Sequence, residues 1–173
     1  MKIFICILVL GIIFSFPPFA FAESSYVLPY PPPMPGSLLY KVRLISEQIQ
    51  KYWFFGDFGQ FSYNLKQSDK YLVEAKTLFD YKQFLLAYRA LQKSDAYFEK
   101  IYPDLLFARK NGKNILEKEI TLGKAAQKHI EELTRVKRTV PSVFDWTPER
   151  DHPTTLNLWE RLDASINVRE KRL

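Results

Sequence analysis

The chain has 173 residues, and its 25 basic and 19 acidic side chains give a mild net charge of +6. The single cysteine, Cys6, excludes a disulfide framework, and the charge excess is too small to identify a polyanionic partner by itself. Aromatic residues make up 16% of the chain, which favours a packed core over disorder.

Residues 1–22 have the layout of a secretory signal peptide. Lys2 precedes an apolar run of fourteen residues, followed by Pro17-Pro18 and by Ala20-Phe21-Ala22, with small residues at the −3 and −1 positions. We therefore expect cleavage after Ala22 and export to the periplasm, the cell surface or the medium. An uncleaved N-terminal membrane anchor is the alternative, although a spanning helix needs roughly 18–20 apolar residues. Cys6 lies inside the run, where a hydrophobic filler is favoured over a lipidation site.

A Pro-rich segment, residues 23–36, follows the predicted cleavage site. Its five prolines favour an extended polyproline conformation without internal hydrogen bonds. We interpret it as a strap on the protein's own surface, with Tyr26, Leu28 and Tyr30 in grooves. A flexible spacer and a ligand for a partner's groove are the alternatives.

A helical domain is predicted from residue 37 to residue 173. Ser37 is suited to cap the first helix, whose apolar residues step by four and three along one face and comprise Leu38, Val42, Ile45, Ile49 and Tyr52. Gly56 ends that helix. Asp57 and Gln60 have capping-box spacing at the start of the next helix.

The core of the domain is predicted to be an antiparallel αα-hairpin over residues 57–102. The start at Asp57 recurs at Asp80, so both aspartates are expected to be N-caps. Ser68-Asp69 recurs at an offset of 26 as Ser94-Asp95, either by duplication or because helical core patterns converge. In such a hairpin, residues whose numbers sum to about 160 should meet.

The remaining chain adds further helices and a loop. Pro103 is expected to interrupt the third helix, and Asn114 has capping spacing for the fourth. Residues 139–153 are predicted to be a long loop anchored by Val143, Phe144 and Trp146, and the last helix is expected to begin near Thr154. The predicted fold is thus all-α, an antiparallel bundle of four to five helices after a Pro-rich extended segment.

An aromatic cluster surrounds the turn between the first two helices. Such rings usually plug the end of a core, but rings exposed together would form a binding patch. The candidate binding residues in this cluster are Tyr52, Trp53, Phe55, Phe58 and Tyr63.

Polar residues within the predicted core are the other candidates for chemistry. Asp69 and Asp95 could act as an acid/base pair or bind a metal, but no nucleophile or further ligand accompanies them. A polar layer that fixes helix register is the favoured interpretation. Both histidines, His129 and His152, are expected on the surface, and no catalytic residue, metal site or cofactor is predicted.

Basic residues gather late in the chain, where they predict either a solvated face or a patch for an envelope polyanion. The patch would comprise Arg135, Lys137, Arg138, Arg169, Lys171 and Arg172. Export argues against nucleic acid as the partner.

Three strings carry a resemblance over residues 26–98: Y-V-L-P-Y-P-P-P-M-P-G, K-Y-W-F-F-G-D-F and D-K-Y-L-V-E-A-K-T-L-F-D-Y-K-Q-F-L-L-A. The chain resembles an uncharacterised family of small exported helical proteins, a domain of unknown function from candidate-phylum (Patescibacteria-type) bacteria. The resemblance implies secretion and helicity and leaves function open.

The sequence therefore predicts an exported, non-catalytic helical protein that binds an unknown protein or polymer of the cell envelope. A cationic adhesion module for anionic membrane or wall polymer, with peripheral membrane contact, is the first alternative. An envelope hydrolase, which would need a carboxylate and a histidine in one cleft, is the second.

Overall fold

The structure is a computed structural model that describes residues 25–148 and 152–173, so the predicted signal peptide lies outside the described residues. The described chain contains five helices and one small sheet. They are α1 (Leu38–Trp53), α2 (Asp57–Asp80), α3 (Phe84–Lys110), α4 (Leu116–Lys137), β1 (Val143–Trp146), β2 (Thr154–Asn157) and α5 (Leu158–Glu170). The predicted all-α bundle is confirmed, as is the Pro-rich segment without helix that precedes it.

The antiparallel hairpin of α2 and α3 forms the centre of the bundle, as predicted. Ser68 Oγ donates to the Ser94 carbonyl over 3.0 Å, and Ser94 Oγ donates to the Ser68 carbonyl over 2.8 Å. Three residues further along each helix, the rings of Tyr71 and Tyr97 stack with centroids 5.8 Å apart. Residues related by the offset of 26 therefore contact each other reciprocally, as equivalent positions do across a two-fold axis.

The turn of the hairpin differs from the prediction, because Asp80 is the last residue of α2 and not the N-cap of α3. Lys82 adopts a left-handed φ of 58°. Its N–H donates to the Phe79 carbonyl, and the Gln83 N–H donates to the Leu78 carbonyl, both over 2.9 Å. This is the Schellman arrangement that usually places glycine at the left-handed position. The sequence has no glycine at this position to mark the end of α2, which explains the incorrect prediction of an N-cap at Asp80.

The start of α2 is also displaced from the prediction. Gly56 occupies the N-cap position and Asp57 is the first helical residue. The Gln60 amide donates to the Phe54 carbonyl over 2.5 Å and does not complete a capping box. Gly59 permits this tight turn, since a Cβ at its position would lie 2.8 Å from the Phe54 carbonyl carbon.

The third helix does not stop at Pro103, and α3 continues to Lys110. A proline removes only one helical N–H, whose acceptor here would be the carbonyl of Glu99, an exposed residue. Ile101, Leu105 and Ala108 on either side are fully buried. Their packing offsets the lost hydrogen bond.

Two short strands replace part of the predicted loop and the predicted start of the last helix. β1 pairs antiparallel with β2, and Phe144 lies opposite Leu156. Phe144 reaches the core, with its ring centroid 4.8 Å from that of Phe84, whereas Val143 is exposed. Four-residue strands are too short to show a clear alternation of apolar and polar residues, so the sequence predicted only anchoring residues in this region. The last helix begins after β2, at Leu158.

The apolar core consists of two clusters, one on each side of a polar layer. Leu72, Leu91, Leu133 and Leu162 belong to the first cluster, and Phe61, Leu65, Phe98, Leu105 and Leu122 belong to the second. The strap crosses from one to the other, because Tyr26 packs on the second cluster while Leu28 and Met34 pack on the first. Tyr30, predicted to lie in a groove, is instead almost fully exposed.

Candidate binding surface

The polar layer contains the two aspartates of the repeated Ser-Asp pairs, which were candidates for chemistry. Asp69 Oδ1 lies 2.7 Å from His129 Nε2, and Asp69 Oδ2 accepts from the Tyr26 hydroxyl over 2.6 Å. Asp95 accepts from Arg169 over 2.6 Å, from Ser165 over 2.7 Å, and from Arg161. The two equivalent carboxylates thus attach different elements to the hairpin: α4 and the strap at Asp69, and α5 at Asp95.

His129 joins the two halves of the layer. The prediction of a surface histidine is wrong, since His129 is fully buried and Arg169 Nε donates to its Nδ1 over 3.0 Å. Nδ1 is therefore an acceptor, and Nε2 carries the proton that it donates to Asp69. Burial lowers the pKa of His129, and Arg169 lowers it further against the opposing effect of Asp69. The neutral imidazole has both nitrogens occupied and no free lone pair for a general base.

The charges of the layer balance, because two carboxylates face two guanidinium groups around a neutral histidine. Arg169 is fully buried, and besides Asp95 and His129 it donates to Ser94 Oγ over 2.8 Å. Apart from the Nε of Arg161, the buried polar side-chain atoms of the layer are hydrogen-bonded, and networks of this kind favour a single arrangement of helices. The layer therefore performs the structural role predicted for the Ser-Asp pairs, with His129 and Arg169 as partners that the sequence analysis missed.

A sequence signal for His129 was present in α4. Its buried residues step by four, three, four and three, and His129 occupies one of these positions among Leu122, Ala126, Leu133 and Val136. Leu116 and Ile120, near the start of α4, are exposed and do not belong to this buried stripe. His152 is exposed, as predicted.

The predicted basic patch does not form, because its members lie in different surroundings. Arg169 belongs to the polar layer, and Lys137 pairs with Asp163 over 2.5 Å. The Arg172 carbonyl lies beside Gly123, near the start of α4. At 1.5 Å per residue, Gly123 is roughly 18 Å from Arg135 along that helix. The two basic groups therefore occupy separate ends of α4.

The surface that stands out is the outer face of α1. The helix is amphipathic, but its predicted apolar stripe points away from the domain, with exposed fractions from 52% at Ile49 to 86% at Leu38. We use the name "outer face" for these residues with the adjoining exposed aromatics: Leu38, Leu39, Val42, Ile45, Ile49, Tyr52, Trp53 and Phe55. Their exposed area is on the order of 1,000 Å², against roughly 300–600 Å² for the largest apolar patch of a typical monomer.

The opposite side of α1 is polar and is buried against α2. Arg43 donates to Glu74 over 2.5 Å, and Lys70 pairs with Glu47 over 2.6 Å. Tyr71 donates to the second oxygen of Glu47 over 2.8 Å. Burial alone would lower the pKa of Arg43, but the hydrogen bond with Glu74 and the nearby carboxylates raise it, so the guanidinium stays charged.

This polar contact explains why the apolar stripe faces outward. At 100° per residue, Arg43 and Glu47 lie about 140° and about 180° around the helix from the middle of the stripe. Turning the stripe inward would leave Lys70 and Glu74 without their partners, and the unpaired charge of the buried Glu74 would cost several kcal/mol. The α2 side chains that face α1 therefore determine the orientation of the helix.

The five candidate aromatic residues divide between surface and interior. Tyr52, Trp53 and Phe55 are exposed together at the C-terminal end of α1. Phe58 is half-buried against the second apolar cluster. Tyr63 is buried and donates to the Glu47 carbonyl over 3.2 Å, so it cannot belong to an exposed patch. The outer face thus keeps three of the five and gains the aliphatic stripe that the spacing placed on one face of α1.

Two further properties bear on the type of site. No helix among the described residues combines the length and apolar character needed to cross a bilayer. Among the same residues, no group of three or more His, Cys, Asp or Glu side chains is arranged to hold a metal ion.

Comparison of the chain with models of protein families, with curated proteins and with solved structures gives no match.

Proposed function

We propose that the protein is an exported, non-catalytic binding component of the cell envelope that acts through the outer face of α1. The observation that carries the proposal is the reversed orientation of this helix, which buries its ion-paired side and presents its apolar side. Exposed patches of this size on soluble domains mark interaction sites. Export is proposed from the layout of residues 1–22, and the family resemblance over residues 26–98 remains a hypothesis consistent with it.

The non-catalytic part of the proposal rests on the polar layer. His129 and Asp69 are the histidine and carboxylate that an envelope hydrolase would need in one cleft, but they lie inside the bundle with their hydrogen-bonding groups occupied. A catalytic base must reach the substrate proton within hydrogen-bond distance. His129 and Asp69 are both buried and offer no such access, which favours binding over hydrolysis.

Site-specific photocrosslinking in cells that produce the protein tests the proposal. A benzophenone amino acid is placed at Phe55 on the outer face or, as the control, at Tyr81 in the hairpin turn. Both side chains are exposed, at 83% and 69%. We expect adducts from position 55 and few from position 81. Equal adduct yields from the two positions would contradict a binding role for the outer face.

A further inference from the structure

We propose that the occupant of the outer face is the surface of an anionic lipid bilayer, in which α1 lies parallel to the membrane plane. This inference rests on the proposed function and identifies its partner. The rest of the domain would remain on the aqueous side, attached through the ion pairs between α1 and α2.

The first argument is the distribution of residue types along α1. Aliphatic side chains occupy the stripe from Leu38 to Ile49, and Tyr52 and Trp53 lie at its C-terminal end. Tyr and Trp combine an apolar ring with a polar group and prefer the headgroup level of a bilayer. Helices with one such face and a charged opposite face lie in the interface, with the apolar side roughly 5–10 Å deep.

The second argument is charge complementarity. The only acidic residue of α1 is Glu47, which is buried and paired with Lys70. Lys41 is exposed beside the stripe, so the exposed charge on the described part of α1 is positive. A basic side chain next to an apolar face is attracted by anionic headgroups and keeps its ammonium group in water.

The third argument weighs a second copy of the chain as the occupant. The stripe spans two heptads, whereas a stable coiled coil usually extends over three or four. The flanking positions Lys41, Ser46 and Gln48 offer no opposite charges for interhelical pairs. These features favour a bilayer over a dimer.

The test measures the position of Trp53 relative to lipid. The full chain is mixed with vesicles whose lipids carry bromine atoms on the acyl chains, which quench a nearby indole. Trp53→Tyr keeps an aromatic ring and removes this indole, so the difference between wild type and variant reports Trp53 alone. We expect Trp53 to be quenched strongly by vesicles containing phosphatidylglycerol and several-fold less by phosphatidylcholine vesicles. Equal quenching by both would overturn the anionic assignment.

A matched pair of double variants separates the outer face from general hydrophobicity. Ile45→Ser with Ile49→Ser alters the outer face, where the exposed fractions are 63% and 52%. Leu116→Ser with Ile120→Ser alters equally exposed positions of α4, at 62% and 52%. Because none of the four is a core residue, both variants should fold. We expect the α1 variant to lose Trp53 quenching by about tenfold or more and the α4 variant to match wild type.

Four other outcomes would overturn the inference, and they have different consequences for the proposed function. Equal quenching in the two double variants would assign membrane contact to another part of the chain. Absence of quenching, with a dimer that only the α1 variant dissociates in sedimentation, would identify a second copy as the occupant. Absence of quenching with protein adducts specific to position 55 would identify a protein partner. The second and third outcomes would leave the outer face as a binding surface, whereas loss of crosslinking selectivity would refute both proposals.

Discussion

Replacing Arg169 with methionine tests whether the polar layer stabilises the bundle. Methionine fills much of the same volume but removes the donors to Asp95, His129 and Ser94. It also leaves the layer with two carboxylates and only Arg161 as a guanidinium partner. Breaking a buried ion pair by removing one member costs about 3–5 kcal/mol. Since Asp95 keeps its hydrogen bond from Ser165 and its contact with Arg161, we expect a loss near the lower end of this range.

Urea unfolding followed by circular dichroism measures this loss, and Arg109→Met is the matched control. Arg109 pairs with Glu119 over 2.8 Å with more than half of its side chain exposed. Exposed ion pairs contribute about 0–1 kcal/mol, so the control should remain close to wild type. Equal effects of the two substitutions would refute a stabilising role for the buried layer.

A second variant separates the lost charge balance from lost packing. Asp95→Asn in the Arg169→Met background removes one carboxylate as well as one guanidinium, so the remaining Asp69 and Arg161 again balance. We expect this double variant to unfold at a higher urea concentration than Arg169→Met alone. If the second substitution adds a further full penalty, the loss reflects packing and hydrogen bonds and not the unpaired charge.

Three further predictions concern the hairpin and the buried histidine. Leu72→Ala should lower the free energy of unfolding by about 2–5 kcal/mol, because Leu72 is a buried member of the first apolar cluster; a neutral result in urea unfolding would show that the core face is assigned wrongly. Asp80→Ala should be neutral or stabilise the protein by up to about 0.5 kcal/mol in the same measurement, because an acidic residue at the C-terminal end of a helix interacts unfavourably with the helix dipole. A loss of about 1 kcal/mol would show that Asp80 acts as a cap after all. Burial holds the pKa of His129 below 6.5, so between that folded-state pKa and pH 6.5 the unfolded chain binds a proton that the folded chain does not. Stability should therefore fall as the pH falls below 6.5, by up to about 1.4 kcal/mol per pH unit, and His129→Gln should flatten this dependence just below pH 6.5. An unchanged slope in that variant would assign the titration to another group.

The helical architecture could be predicted from the sequence because it depends on local patterns. Ser37 caps α1 through a hydrogen bond from the Leu39 N–H, as predicted. The three-and-four spacing of Leu65, Ser68 and Leu72 marks the buried face of α2, and the repeated Ser-Asp pairs predicted a polar layer across the hairpin. Each of these signals lies within one or two turns of helix, where spacing determines which side chains share a face.

The exact ends of elements were less predictable, since a boundary depends on a few residues. Lys82 adopts the left-handed conformation where glycine would have marked the end of α2, and α3 passes through Pro103 because Ile101 and Leu105 are anchored in the core. Such boundaries result from tertiary packing that overrides a weak local preference.

The orientation of α1 and the burial of Arg169 were decided by tertiary structure alone. The sequence contains an apolar stripe in α1 and a basic cluster near the C-terminus, and hydrophobicity by itself places the first inside and the second outside. The stripe faces outward because Lys70 and Glu74 of α2 pair with the polar side of α1. Arg169 is buried because Asp95, distant in sequence, supplies the opposite charge. Periodicity identifies the faces of a helix, but the charges on the neighbouring element determine which face is buried.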